Sequence, residues 1–352
     1  MIKVYIEKEN APDLPMSLVF WPNFRFPISP KRLFLKEIMA QYTEPFFQIV
    51  EQPEDADFFS VPYEYFFAED EAQPYLQNVF AKAKAARKKV LLFDYTDYCD
   101  RTVSLPPHAI LFRVSVYRHH KRENEIVMPY FVEDMGTRYN LVPKENEEEC
   151  VVGYCGQSRF AHIVKECRAR LKWFFYSLWL RLSDDHNPSV HQRGVFWRTR
   201  ALRILAHARI PLAVKERSFY SLHSSSHTED PQTVRKEYIE NLREADLALC
   251  IRGDANASQR FYEALSAART PLFLDTDCVL PLEEIIDYDK VILRITSGEI
   301  ERMPERVRAW QKNKSNGLAA RNLYTSYLRL DRYFALVFDR EKSPYKDFLY
   351  AS

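Results

Sequence analysis

The sequence predicts an α/β protein of two Rossmann-like domains facing a cleft. Three observations predict it. The chain has 352 residues, about twice the usual length of one domain. Short apolar runs alternate with helical patterns, the mark of βα units and a parallel sheet. The alternation then restarts after a polar, charged stretch, Val142 to Glu149 (VPKENEEE), which reads as a linker. The expected division is an N-terminal domain over 1–145, a C-terminal domain over 146–315, and a helical segment over 316–352 that packs back on the first domain.

In the first half, strands are expected at Ile2 to Ile6, Phe58 to Val61, Val90 to Phe93, Ala109 to Val114 and, more weakly, Ile126 to Met128. Helical patterns cover Lys31 to Gln41 and Tyr75 to Arg87. In the second half the strand runs are Cys150 to Tyr154, Ile210 to Val214, Leu247 to Ile251, Pro271 to Leu274 and Val291 to Ile295. Val234, Tyr238 and Leu242 recur at i, i+4, i+8, which predicts a helix over Thr233 to Glu244. Met303, Val307 and Trp310 keep the same spacing. A last helix is expected from about 318 to 338, with Leu323, Tyr327, Leu330 and Phe334 on one face.

Composition excludes several classes. The 50 Lys and Arg nearly cancel the 49 Asp and Glu, without the basic excess of a non-specific nucleic-acid binder. The six cysteines form no C-x-x-C pair, and several sit in apolar runs, as reduced core residues of a cytosolic protein do. The opening MIKVYIEKEN has charges where a leader peptide needs an apolar stretch. The longest apolar-aromatic run, Trp173 to Leu180, is far short of the ~20 residues that span a bilayer. A cytoplasmic protein, at most peripheral to a membrane, is expected. Zinc spacings and glycine-rich phosphate loops are absent, which argues against a P-loop enzyme and a nicotinamide dehydrogenase.

The most informative stretch is Ala245 to Leu282. A buried strand ends at Ile251, the polar loop Arg252-Gly253-Asp254-Ala255-Asn256-Ala257-Ser258 follows, and a helix begins with Asn256 or Ser258 as its N-cap. Asn256 and Gln259 have the spacing of a capping-box-like pair. The unpaired N–H groups of a helix start suit phosphate, and Arg260 adds a planar fork of donors. Glu263, one turn further in, can accept from two adjacent ribose hydroxyls. The plainer alternative is that Arg260 and Glu263 pair with each other or with solvent.

This stretch resembles the signature of the exostosin family of glycosyltransferases. The matching residues are Arg252-Gly253, Ser258, Arg260-Phe261, Glu263-Ala264, Pro271, Asp275 and Leu280-Pro281. Ala56 to Tyr63 (ADFFSVPY), Val127 to Pro129, and Val152 to Gly156 (VGYCG) are similar to earlier family segments in the same order, so the resemblance spans roughly 50 to 310. It departs at Ala267-Ala268-Arg269, where the family has a glycine, at the isoleucine before Arg252, and around Asp184 to Arg200, which has no counterpart.

The resemblance implies a GT-B-like architecture, with the acceptor bound mainly by the N-terminal domain and the nucleotide sugar by the C-terminal one. It implies a UDP-sugar donor, a glycan or glycolipid acceptor, inversion, and no metal or organic cofactor. Arg260 would bind the diphosphate and Glu263 the ribose. Ser258, Gly253, Asp254 and Arg252 would line the phosphate or sugar pocket. The alternative is a non-catalytic exostosin-like subunit that partners another glycosyltransferase; assembly with copies of itself is compatible with either.

Further candidates come from strand ends, which face the cleft in such folds. Gly156 would let a ligand approach the backbone, and Arg159 could reach the second phosphate or be a surface residue. Asp94, Asp97 and Glu64 are the candidate bases, each also a good turn or cap residue. Asp275-Thr276-Asp277 has the spacing of a metal-binding triplet but reads better as a turn. His119-His120 read as surface residues or acceptor contacts. Arg168 to Leu182 (RARLKWFFYSLWLRL) reads first as a core helix with solvated cationic ends, second as a helix on an anionic membrane surface. The aromatic, basic loop Phe20 to Lys31 suits a sugar chain or simple packing.

Overall fold

The computed structural model describes residues 1–23, 33–144, 149–182, 188–219, 230–310 and 316–350. Most of the Phe20 to Lys31 loop, and residues 145–148 of the linker, lie outside the described residues.

The strands are β1 (Ile2–Ile6), β2 (Phe47–Val50), β3 (Phe58–Glu64), β4 (Val90–Asp94), β5 (Ala109–Arg113), β6 (Glu125–Val127), β7 (Val152–Gln157), β8 (Leu212–Arg217), β9 (Leu247–Cys250), β10 (Thr270–Asp275) and β11 (Leu293–Thr296). The helices are α1 (Leu35–Met39), α2 (Tyr65–Glu71), α3 (Gln73–Ala85), α4 (Met135–Tyr139), α5 (Ile163–Leu182), α6 (Gly194–His207), α7 (Pro231–Glu244), α8 (Gln259–Ser266), α9 (Met303–Trp310), α10 (Asn316–Leu323), α11 (Leu330–Val337) and α12 (Lys346–Tyr350).

Two parallel sheets result, in the orders β2-β1-β3-β4-β5-β6 and β11-β10-β9-β7-β8. This is the expected pair of Rossmann-like α/β units. β4 (VLLFD) and β5 (AILFR) are buried at every position, as strands covered by helices on both faces are. The strand β2 was not foreseen; its four residues FQIV sit at a sheet edge, in a run too short and too interrupted by Gln48 to stand out. β8 runs on to Arg217, beyond the apolar run that marks it.

The last helix is not continuous. α10 passes into a π-helical turn over Tyr324–Leu328, and Arg329 leaves the helix at φ −69°, ψ 129° before α11. The break rotates Tyr327 outward to 40 % exposure, whereas Leu330 and Phe334 stay buried. Phe334 packs its ring 5.4 Å from Phe47 and 6.3 Å from Phe93, and Phe338 lies 5.7 Å from Phe58. These contacts place α11 in the core of the first sheet.

The helix over Arg168 to Leu182 is not a core helix. α5 buries only Ala169 and Leu180. Among the described residues no helix is long and apolar enough to cross a membrane.

Candidate functional site

The carboxyl ends of the second sheet open onto a cleft of about 240 Å³, the position where doubly wound sheets bind ligands. Cys155, Gly156 and Gln157 line it from the end of β7, Arg217 from the end of β8, and Gly253 to Ser258 from the loop after β9 except Asn256. α8 adds Gln259, Arg260 and Glu263, α7 adds Arg235 and Tyr238, and α6 with the residue before it adds Arg193 and Arg198. The first domain contributes Phe34, Asp97 and Tyr130.

Arg260 is the best-defined of these groups. Its guanidinium lies 4.5 Å from the centre of the Tyr154 ring and 5.7 Å from that of Tyr238, and it donates to the Cys155 carbonyl. Its buried Nε has no partner among the described residues. Gly156 makes the approach possible. Its φ is +154°, and a Cβ there would sit 2.7 Å from Arg260 Nη2.

Glu263 is buried one turn along α8. It accepts a 2.6 Å hydrogen bond from the Tyr238 hydroxyl, and Arg235 stands 3.9 Å away. Burial, with the Glu263 charge adding, pushes the Tyr238 phenol well above its usual range, so Tyr238 remains a donor at neutral pH. Arg235 is itself paired with Glu133 of the first domain. Arg260 and Glu263 therefore do not pair with each other. Each is fixed from behind by another element, with its edge on the cleft.

Ser258 is the N-cap of α8, at φ −134° and ψ 123°, and its side chain makes no cap bond. The expected capping box is absent. Asn256 is fully buried and instead joins the domains: it accepts from Ser115 Oγ at 2.6 Å and donates to the Val116 carbonyl at 3.0 Å.

Two anticipated site residues lie elsewhere. Arg252 is buried beneath the loop, where it donates to the Tyr117 hydroxyl, the Val190 carbonyl (both 2.5 Å) and the Asp254 carbonyl (2.6 Å). Arg159 is exposed, outside the cleft, and pairs with Glu216. The aspartates of the D-x-D triplet part company: Asp275 takes the Cys278 N–H and Arg294, and Asp277 takes His119.

Of the three candidate bases, Asp97 alone lines the cleft. Asp94 is 1 % exposed, bonded to Thr96 Oγ1 at 2.7 Å and to the Phe66 N–H. Glu64 accepts the Tyr95 N–H at 2.5 Å. Burial raises both carboxyls above the ordinary range, and the Asp94 charge adds to the rise at Glu64. These two hold the start of the loop that presents Asp97. Its far side is held by the buried Arg113, which donates to the Tyr98 carbonyl at 2.5 Å and the Arg101 carbonyl at 3.1 Å while paired with Glu125 at 2.6 Å.

Sequence reasoning missed Arg193, Arg198, Arg217, Arg235 and Tyr238. Arg198 donates to the Gln157 carbonyl at 3.0 Å and the Arg252 carbonyl at 2.7 Å, and its buried Nε lacks a partner among the described residues. It sits in the segment that had no counterpart in the family pattern. Arg217 gave no distinct signal, since it ends β8 behind two other charges, Lys215 and Glu216.

Two parallel α/β sheets with an arginine-lined cleft at their strand ends have the layout of a GT-B-like glycosyltransferase. Residues 209–310 match the family model of the Exostosin GT47 domain, which supports an exostosin-family glycosyltransferase. The match runs from the start of β8 to the end of α9. It takes in Arg217, Arg235, Tyr238, the Gly253 to Ser258 loop, Arg260 and Glu263. No curated protein matches the chain.

Proposed function

We propose that the protein transfers a sugar from a UDP-sugar to a hydroxyl of a glycan or glycolipid acceptor, with inversion and without a metal ion. The observation that carries this reading is the pair of buried Nε donors, Arg260 and Arg198, without a partner among the described residues and both on side chains that line the cleft. Buried donors without partners are costly, and an anionic ligand would satisfy them.

In this reading the diphosphate lies against Arg260, Arg198, Ser258 and the Gly253-Asp254 backbone, and the ribose lies by Glu263. The acceptor enters from the side of Asp97 and Tyr130. Its oxygen attacks the anomeric carbon while the bond from that carbon to the diphosphate breaks. The proton passes to the Asp97 carboxylate, and UDP leaves with its new charge held by the arginines.

The test is a thermal-shift panel of UDP, GDP, TDP and CMP, with EDTA present, on wild type and Arg260→Ala. At about 100 times its Kd a ligand stabilises by roughly 2.7 kcal/mol. The expected result is a shift with UDP alone that the variant loses. A protein that no nucleotide stabilises has no donor site, and its role is then that of a partner subunit.

A further inference from the structure

We propose that α5 docks the protein onto the surface of an anionic lipid bilayer. The helix has two opposed faces. Ala169, Trp173, Ser177 and Leu180 recur every three or four residues and form the narrow stripe turned to the protein, buried or half-buried throughout. The opposite side carries Val164, Leu171, Phe174, Phe175, Leu178 and Leu182. Their exposures run from 47 % at Leu178 to 79 % at Leu182, with both phenylalanines at 60 %. Soluble surfaces rarely expose so continuous an apolar crest.

The flanks decide what covers it. At ~100° per residue, Lys165, Arg168 and Lys172 fall along one side of the crest and Arg170 and Arg181 along the other. The one acidic residue of the helix, Glu166, is taken by Arg170 at 2.7 Å. A basic border with long stems on both sides of an aromatic and leucine crest fits lipid acyl boundaries below and anionic headgroups beside them. A second copy of the chain would bring two such basic borders together, which repels.

The site's position adds a consequence. Phe160, which lines the cleft, packs at a tilt 5.3 Å from Phe196 of α6, and Arg170 of α5 stands 5.3 Å over the same Phe196 ring. A bilayer under α5 therefore lies next to the cleft wall. The inference rests on α5 and not on the donor reading: vesicle binding and UDP binding can fail separately.

The experiment is vesicle flotation with the full chain, using phosphatidylcholine alone and phosphatidylcholine with about 30 % phosphatidylserine. Wild type should float with the anionic vesicles, much less with the neutral ones, and less again as salt rises. Phe175→Glu with Leu178→Glu should abolish flotation. Arg168→Glu with Lys172→Glu should reduce it at least tenfold. Unchanged circular dichroism melting and UDP shift show that each variant is folded. The proposal is overturned if wild type floats with neither vesicle, or if the Glu variants float as well as wild type. It is also overturned if light scattering finds a dimer that Phe175→Glu dissolves, since a second copy then covers the face.

Discussion

The Arg260 guanidinium is stacked 4.5 Å from the centre of the Tyr154 ring, its Nη2 bonded to the carbonyl of Cys155 on the next residue. Strand β7 thus sets the plane of the arginine fork before any ligand arrives. A pre-set planar fork loses little freedom on binding, and lysine cannot reproduce it. Arg260→Ala should weaken UDP binding by about 2 kcal/mol, some thirty-fold in Kd. Arg260→Lys should recover little of it. Titration calorimetry on both variants checks this, and full recovery by lysine would show that charge alone matters.

Gly156 is the space in which that fork rests. Gly156→Ala puts a methyl 2.7 Å from Arg260 Nη2 at a φ of +154°. The backbone strain should cost stability by about 1 kcal/mol. Displacement of Arg260 should cost UDP affinity as well. A melting curve and a binding isotherm on one preparation separate the two, and an unchanged Kd would mean that the head of Arg260 is not in the site.

Gly194 opens α6 hard against the loop that begins at Arg252 and Gly253. A Cβ there would meet the Arg252 carbonyl oxygen at 1.9 Å and that of Gly253 at 2.9 Å. Both are backbone atoms, which must move. Gly194→Ala should lower stability by about 1–3 kcal/mol, as overpacking does, visible as a lower Tm. A wild-type Tm would mean that the loop shifts freely.

Asp97 and Asp94 should separate cleanly in mutants. Asp97→Asn should leave the UDP shift intact and lower turnover by about a hundredfold or more, the usual scale for losing a general base. Asp94→Asn should act mainly through stability, because its carboxylate oxygens hold Thr96 and the Phe66 N–H. Turnover by Asp97→Asn at the wild-type rate would remove Asp97 from the mechanism.

The Glu64–Asp94 pair predicts a pH dependence with a definite sign. Burial raises both folded-state values, and the unfolded chain titrates near pH 4. Between those limits the folded protein holds protons that the unfolded chain has released. The pair's contribution is complete below the unfolded value and is lost as pH rises through the raised values. Wild-type Tm should therefore fall from mildly acidic to mildly alkaline pH, and Glu64→Gln should flatten the fall. An equal slope in the variant would mean that other groups set it.

The central strands were legible because they are buried on both faces and run as continuous apolar segments, as β4, β5, β9 and β10 do. So was the start of α8, where a strand, a polar loop and Ser258 follow in order. What stayed hidden was the direction of long side chains. Arg252 and Arg260 stand eight residues apart, with the same fork. One turns down onto Tyr117 and the other out to the cleft. Only the packing around each decides that. α5 was misread for a related reason: its aromatic content resembles a core helix, and which side meets the protein depends on small residues, Ala169 and Ser177, that carry no hydrophobic signal.

The return of α11 has a consequence for how the molecule can be cut and rebuilt. Phe334 and Phe338 share one core with Phe47, Phe58 and Phe93, and that core continues into Phe261, Leu265 and Phe273 of the second domain, while the other face of the second sheet packs around Val152, Leu249, Leu272 and Ile295. The second sheet is therefore set in sequence between two stretches of the first domain and shares one of its faces with their core. A fragment stopped after α9 would leave an aromatic hole beneath β2 and β3. A chimera that exchanged the second sheet at its two joints would have to match the face that Phe261, Leu265 and Phe273 give to the shared core.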